Sequence, residues 1–493
     1  MAALLSRLTV ERAAIVIAHL LLFAMASRVA IDPDMWWQLR LGQQIAETGE
    51  FVSADRFSHT RTGQSRLNHS GFAQVLMYAC WRLGGHLGMT LFTALLAVSA
   101  LHCVFRAGRG SIYMQSYVLV LGAACAAAFW SPRPQMFTFL GAAITLYMIR
   151  RLQRRSDTPL WPLPLLMWAW ANLHGGYVIG YLFIGGFVLG EGLKRRFGMG
   201  DGGLATPALR RLCAYSLLSL LLLPINPLGL SIYAAPLDTL AIPGLRSAIQ
   251  EWQPPDFSGP GAWSFVGLLA LLLASALASR RRVDLSAAIL AGGTLVMALY
   301  SARHVSLFAI TAIPMITTQL DAFLARRGWR MRHRNVETPG RVALNLALIG
   351  VVAFGALAQI RHVASAATVE RALALNYPLG ALRYLQAATA PGHLFNSYKW
   401  GGYLIFHAPD LPVFIDGRTD LYRDLLSDYV AAATGGPEWR AVFARHEIGS
   451  ALIERESPLA AQLEAADEWR LEYQDAVASV FLRSPSTSEG GGL

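Results

Sequence analysis

The residues that could do chemistry in this chain are polar ones set at breaks in a strongly apolar sequence. DPDMWWQLR (32–40) places Asp32 and Asp34 directly after an apolar run at 13–31. SADRFSHT (53–60) adds Asp55 as a second acid, and His69 follows in the same hydrophilic stretch. SPRPQ (131–135) carries Arg133, ANLHGG (171–176) carries His174, and SARHVS (301–306) carries Arg303 and His304. Each of these sits in a short gap between apolar runs. Carboxylates take a proton from an attacking hydroxyl or amide. Arginine and histidine hold a phosphate or another anion that develops during reaction. A last group lies in NSYKWGGYLIFHAPDLPVFID (396–416) and the GRTDLY that follows it: Lys399, Trp400, Asp416 and Arg418. Asp416 is expected at the carboxyl end of a strand, where α/β domains bind ligands. Gly417 suits a tight turn there. Lys399 and Trp400 precede that strand in the same segment.

The elements that must carry these residues are mostly membrane spans. Of 493 residues, 54% are hydrophobic and 15% charged, against about 25% charged in a soluble domain. Apolar runs fall at 13–31, 86–105, 112–131, 134–149, 159–171, 176–193, 212–225, 261–278, 284–300, 304–320 and 342–360. They read as about 11 transmembrane helices, the first uncleaved and the one at 159–171 the shortest. Basic clusters at Arg7/Arg12, Arg106/Arg109, Arg150–Arg155, Lys194–Arg196, Arg280–Arg282 and Arg326–Arg334 fall on alternate loops. The positive-inside rule then puts the N-terminus in the cytoplasm and the C-terminal part outside. It also gathers the acidic, Arg133, His174 and Arg303/His304 loops on the outer side. The long outer loop 32–85 holds two amphipathic helices, at 36–47 and 71–83, with Trp37, Leu41 and Ile45 at helical spacing. Trp36 and Trp37 read as membrane-interface aromatics.

After residue 361 the pattern becomes that of a small α/β domain, 366–483. Strands are expected at 393–396, 411–416 and 448–453, with a closing hairpin at 470–474 and 477–482. Helices are expected at 378–388, 419–434, 437–446 and 457–466, and the tail 484–493 as a disordered end. The net +11 therefore divides: +17 over residues 1–365 and −6 over 366–493. The basic excess reports topology and gives no reason to expect nucleic acid as a partner. The four cysteines, Cys80, Cys103, Cys125 and Cys213, lie in or beside apolar runs without a paired motif, which argues against a disulfide framework.

A long first outer loop, opened by an acidic motif and built of two amphipathic helices, resembles the GT-C superfamily of membrane glycosyltransferases. DMWWQLR (34–40) is similar to the acidic motif of the oligosaccharyltransferase catalytic subunit, and by position its essential, metal-associated Asp falls on Asp34. NSYKWGGYLIFHAPDLPVFID is similar to the segment that opens that subunit's soluble domain, without its WWDYG sequence. The resemblance implies a polytopic α-helical membrane enzyme of a bacterial inner membrane with a small extracytoplasmic α/β domain. It implies inverting transfer of a sugar from a polyprenyl-phosphate donor to a glycan, lipid or protein acceptor. Asp34 would be base or ligand to a divalent Mg or Mn ion, with Asp32 in reserve. Arg133, His174, Arg303, His304 and His69 would serve the phosphate, and Lys399, Trp400, Asp416 and Arg418 the acceptor side. The missing WWDYG sets N-glycosylation of peptides apart from the expectation. Two rivals are a transporter and a non-catalytic envelope-assembly protein. A transporter places ionisable groups at the membrane midplane and shows repeats, and neither pattern is present here.

Overall fold

The structure is a computed structural model that describes residues 8–51, 53–66, 68–199, 203–242, 249–329, 338–388 and 391–484. The expected tail 484–493, from residue 485 on, and part of the Arg326–Arg334 cluster fall outside the described residues. The chain divides into two compact units. One comprises Met1–Arg28, Leu87–Pro236 and Ile249–Val363; the other comprises Val29–His86, Leu237–Ala248 and Ala364–Leu493.

Each of the eleven apolar runs forms a helix. The helices that carry them are α1 (Val10–Ala26), the second part of α3 (Gly71–Ala107), α4 (Ile112–Ala126), α5 (Gln135–Arg154), α6 (Pro162–Leu173), α7 (Val178–Arg196), α8 (Thr206–Leu222), α9 (Trp263–Ser279), α10 (Leu285–Tyr300), α11 (Val305–Arg326) and α12 (Pro339–Val363). Among the described residues five are long and apolar enough to cross a membrane: Gly71–Ala107, Ile112–Phe129, Gly175–Arg196, Ala302–Arg326 and Pro339–Val363. α9 and α10 are shorter apolar helices. This is a polytopic membrane fold. In the first unit α11 is the central helix, packed on α4, α9 and α10, and it buries Phe308, Ile310 and Ile313.

The basic clusters meet at one end of this helical unit. Arg154 donates to the Gly108 carbonyl at 3.0 Å, and Arg326 to the Ser279 carbonyl at 2.9 Å. Lys194 pairs with Asp284 at 3.0 Å and with Glu191, which is fully buried and also accepts from Ser286 at 2.7 Å. Buried carboxylates in a helical bundle survive only when each oxygen finds a donor, and these charges, with Gln153 of α5 donating to Glu191 at 2.8 Å, clamp α5, α7 and α10 together.

The second unit joins loop 32–85, called the outer loop for its expected side, to the C-terminal domain. α2 (Pro33–Thr48) starts with Asp32 as N-cap, accepting from the Asp34 amide at 2.9 Å, and Pro33 in the first turn. It ends at Gly49, whose φ of 75° is the left-handed conformation that closes a helix. The expected helix at 71–83 is the first part of α3, broken from the span by Gly85 at φ 51°. Two short strands, β1 (Ser53–Ala54) and β2 (Ser65–Arg66), pair between α2 and α3.

The C-terminal sheet runs β3 (His393–Asn396), β4 (Ile448–Glu454), β6 (Ala478–Arg483), β5 (Trp469–Gln474). β3 and β4 are parallel; the other pairs are antiparallel. The helices are α13 (Ala366–Asn376), α14 (Leu379–Ala387), α15 (Tyr398–His407), α16 (Leu425–Ala433), α17 (Trp439–Arg445) and α18 (Pro458–Glu464). Phe395, Phe414, Trp439, Phe443 and Phe481 form the buried centre.

Two expected elements differ. Segment 411–416 leaves the sheet and pairs with the outer loop instead. The Val413 amide donates to the Phe57 carbonyl at 2.9 Å, and the His59 amide to the Val413 carbonyl at 3.1 Å. The Asn396 side chain stands in for the missing ladder, accepting from the Phe414 amide at 2.7 Å and donating to the Ile415 carbonyl at 2.8 Å. The helix expected from 419 begins at Leu425, because 416–424 is committed to charge pairs with the outer loop. Thr419 and Asp420 therefore cap nothing.

Candidate functional site

The acidic motif, the WGGY segment and the IDGR segment are packed against one another inside the second unit. Asp34 lies in the first turn of α2, and its Oδ1 accepts from Trp37 Nε1 at 3.0 Å, which fixes the carboxylate's direction. Glycines let the backbone close on it. A Cβ at Gly417 would overlap Asp34 Oδ1 and the Trp37 indole. A Cβ at Gly402 would stand 2.7 Å from the Pro33 carbonyl, and one at Gly401 2.7 Å from Asp416 Cα. The glycine at 417 is thus needed for space; its φ is not in the left-handed range.

Beside Asp34 lies a buried charge cluster. The Arg418 guanidinium grips Asp416 from two sides, Nε to Oδ1 at 2.8 Å and Nη2 to Oδ2 at 2.6 Å, and its Nη1 pairs with Asp55 Oδ1. The Tyr422 hydroxyl donates to Asp416 at 2.6 Å, and Ser58 donates to Asp55 Oδ2 from both its amide, 3.0 Å, and its hydroxyl, 2.5 Å. Side-chain exposure is 3% for Arg418 and 0% for Asp55 and Asp416. Burial by itself lowers the Arg418 pKa; the two carboxylates and Tyr422 outweigh it and hold the group well above its ordinary value. Asp55 was the expected second acid, and Asp416 and Arg418 expected acceptor-side groups. Their position is that of a latch closing the outer loop on the domain. Trp400 is also buried, donating to the Asn376 carbonyl at 2.9 Å. Of the acceptor-side set, Lys399 alone reaches solvent, at 52% side-chain exposure, 3.1 Å from Glu454.

The other loop residues continue the seam. Arg66 pairs with Asp420 at 2.7 Å and lies over the Trp37 ring at 5.2 Å; Arg61 pairs with Asp424 at 2.5 Å. His69 is held below its ordinary pKa by burial and by Arg66, with Asp420 opposing. Trp36, read as an interface aromatic, is fully buried among Trp81, His86, Tyr377, Tyr403 and His407. Six rings at one point make a core that pulls α2, α3, α13 and α15 together.

In the helical unit the expected phosphate residues form two groups. Arg133 and Arg303 share one carboxylate, Glu251, at 3.3 and 3.9 Å, and Arg303 lies 4.3 Å over the Trp252 ring. His304 follows Arg303 in the same 3₁₀ turn, Ala302–His304. His174 Nδ1 accepts from the Gly176 amide at 3.1 Å and contacts Thr138 Oγ1 at 2.8 Å, which leaves the ring proton on Nε2. Glu251 had no counterpart in the sequence reading, because a single Glu in a polar loop carries no spacing signal.

Among the described residues no three His, Cys, Asp or Glu side chains come together to hold an ion, and a guanidinium fills the space between Asp55 and Asp416.

The fold so built is similar to that of several solved proteins. Oligosaccharyltransferase AglB from Archaeoglobus fulgidus, solved with an inhibitory peptide and a dolichol-phosphate, superposes at TM-score 0.57 and 12% identity over 90% of this chain and 69% of that one. ArnT from Cupriavidus metallidurans, solved with undecaprenyl phosphate, gives 0.50 and 14% over 97% and 98%. Arabinofuranosyltransferase AftD from Mycobacteria gives 0.50 and 12% over 98% of this chain and 42% of that one. No family model and no curated protein matches the sequence.

Proposed function

We propose that this chain is an inverting glycosyltransferase that uses a sugar linked to polyprenyl phosphate. The carrying observation is Asp34. It is the acidic motif's second carboxylate, aimed by Trp37 and approached by a glycine backbone that leaves it no covering side chain from position 417. Asp32 spends an oxygen on the Asp34 amide as a helix cap, which favours Asp34 as the base. In the reaction the acceptor's hydroxyl or amide attacks the anomeric carbon and its proton passes to Asp34. The bond from that carbon to the phosphate oxygen breaks, and the electron pair leaves with the lipid phosphate. Within the helical unit, Arg133 and Arg303 share one two-oxygen anion in Glu251, a spacing that also suits a phosphate. His174 Nε2–H is a further donor. A divalent ion is given no part in these steps.

The reading includes the bacterial inner membrane, a cytoplasmic N-terminus and an extracytoplasmic C-terminal domain. The gathering of basic clusters at one end of the helical unit supports this orientation. The test is transfer of labelled sugar from polyprenyl-phosphate donors by the purified full chain. Asp34→Asn should lose about 10²–10⁴-fold in kcat, the scale of a general base. Wild-type activity in that variant removes Asp34 from the mechanism. Activity that survives chelation agrees with the donor set; loss that Mg or Mn restores would give Asp34 the metal-ligand role.

A further inference from the structure

Three histidines meet where loop 55–62 joins the C-terminal domain. His59 of the loop stacks on His393 of β3, with ring centroids 4.4 Å apart and planes 5° from parallel. His446, which follows α17, packs edge-on against Phe414 at 5.1 Å, and Phe414 lies 5.9 Å from the His59 ring. The proposed chemistry uses none of them.

The stack sits on the seam itself. The His59 amide donates to the Val413 carbonyl at 3.1 Å, and the Val413 amide to the Phe57 carbonyl at 2.9 Å. The Thr60 hydroxyl donates to the Phe414 carbonyl at 2.7 Å. The His59 ring donates from Nε2 to the Leu394 carbonyl at 3.0 Å. A neutral ring therefore completes the joint, and a second proton must go to Nδ1.

Nothing around the ring favours that proton except the Leu394 carbonyl. The ionisable groups that act on it are His393 and His446, and both oppose a positive charge there. The carboxylates of neighbouring elements serve other cations. Asp428 of α16 meets Arg445 at 2.6 Å and His446 at 3.4 Å, and Glu447 is exposed. On the loop, Asp55 pairs with Arg418 and Arg61 with Asp424, while Arg56 is exposed. Burial first, then the two histidines, hold His59 at about 4 in the closed seam; a ring released into water returns to about 6.5. Protonation favours the open seam as pH falls from about 6.5 towards 4.

We infer that the stacked histidines make this seam an acid-released catch: proton uptake frees loop 55–62 from Val413 and Phe414 while the C-terminal sheet stays folded. The sheet holds by its own ladders, and among the described residues its buried centre draws on no residue of the loop.

The test is hydrogen exchange of the purified full chain in nanodiscs at pH 7.5 and pH 5, each rate divided by that of a free amide at the same pH. The His59 and Val413 amides should lose about 30-fold in protection, the ratio that values of about 6.5 open and about 4 closed produce. The β4 and β6 amides should stay better protected than the seam at both pH values. His59→Gln keeps an amide donor for the Leu394 carbonyl and does not titrate, so its seam should lose less than about threefold. His393→Gln, at an exposed position, removes the stacked ring and should give a loss between the two; it also decides the matter if His59→Gln does not fold. Wild-type protection that is flat with pH, a full loss retained in His59→Gln, or a loss in His393→Gln equal to wild type overturns the catch. Protection of seam and sheet that converges at pH 5 overturns it too, because the whole domain then opens together. The readout needs no lipid donor, so failure of the proposed transfer reaction leaves it intact.

Discussion

Arg418→Met isolates the buried latch between the outer loop and the C-terminal domain. The wild-type guanidinium serves two carboxylates, Asp55 and Asp416, at 3%, 0% and 0% side-chain exposure. Methionine keeps most of the volume and removes every donor. Breaking a buried pair by deleting one partner costs about 3–5 kcal/mol, because the charge left behind has no compensation. The damage should be local. Phe57–His59 is attached to Val413 by two backbone hydrogen bonds, and Asp55 is tied to Ser58. Without Arg418 this seam should open while the β3-β4-β6-β5 sheet stays closed. Hydrogen exchange at the His59 and Val413 amides should then quicken about 10²–10⁴-fold, the exponential of that cost. The β4 and β6 amides should change little. Asp55→Asn retains the Arg418–Asp416 grip and should cost about 1.5–3 kcal/mol, the worth of one hydrogen bond to a charged group. Equal acceleration of seam and sheet, or none in the seam, would refute the latch.

Three other perturbations follow from the same geometry. Gly417→Ala should displace Asp34 or Trp37, because its Cβ overlaps both; transfer activity should fall while thermal stability of the purified protein moves by less than in Arg418→Met. His59 titrates at about 4, pushed down chiefly by burial, further by His393 and His446, and opposed by its hydrogen bond to the Leu394 carbonyl. The unfolded chain takes up this proton near 6.5 and the folded chain does not, so stability falls as pH drops from about 6.5 towards 4, by about 3 kcal/mol at most. His59→Asn should flatten a melting-temperature profile over that window. Glu251→Gln should tighten binding of farnesyl phosphate, by about fivefold for a partly exposed pair, whereas Arg133→Gln should weaken it in the same calorimetric titration. Weaker binding in Glu251→Gln would mean that the carboxylate organises the arginines and does not compete for them.

Local patterns carried most of the secondary structure. The apolar runs became helices, and α2, β3, β4 and the closing hairpin lie close to their expected places, because period and turn residues are short-range signals. Assembly was not readable in the same way. Asp55 and Arg418 are 363 residues apart, and nothing near either one marks the pairing. The same holds for Val413, whose apolar segment reads as a sheet strand but pairs with Phe57 and His59. Trp36 shows the limit of a compositional rule. Tryptophan after an apolar run suggests a membrane interface, and only the tertiary fold reveals the ring of aromatics that buries it. Motif position already favoured Asp34 over Asp32, and the capping geometry adds a physical reason, since Asp32 spends an oxygen on the Asp34 amide.

The second unit also has a history in time. Val29–His86 is made early, and its latch partners at 413–424 only after some 330 further residues have left the ribosome. At about 5–20 residues per second this interval is on the order of tens of seconds. Throughout it Asp55 has no guanidinium and Trp36 lacks Tyr377 and Tyr403. A nascent chain therefore carries a half-built module that waits for its own C-terminus. Premature termination near residue 363 would leave a complete set of membrane helices with an unfinished loop, a substrate for quality-control proteases rather than a smaller enzyme.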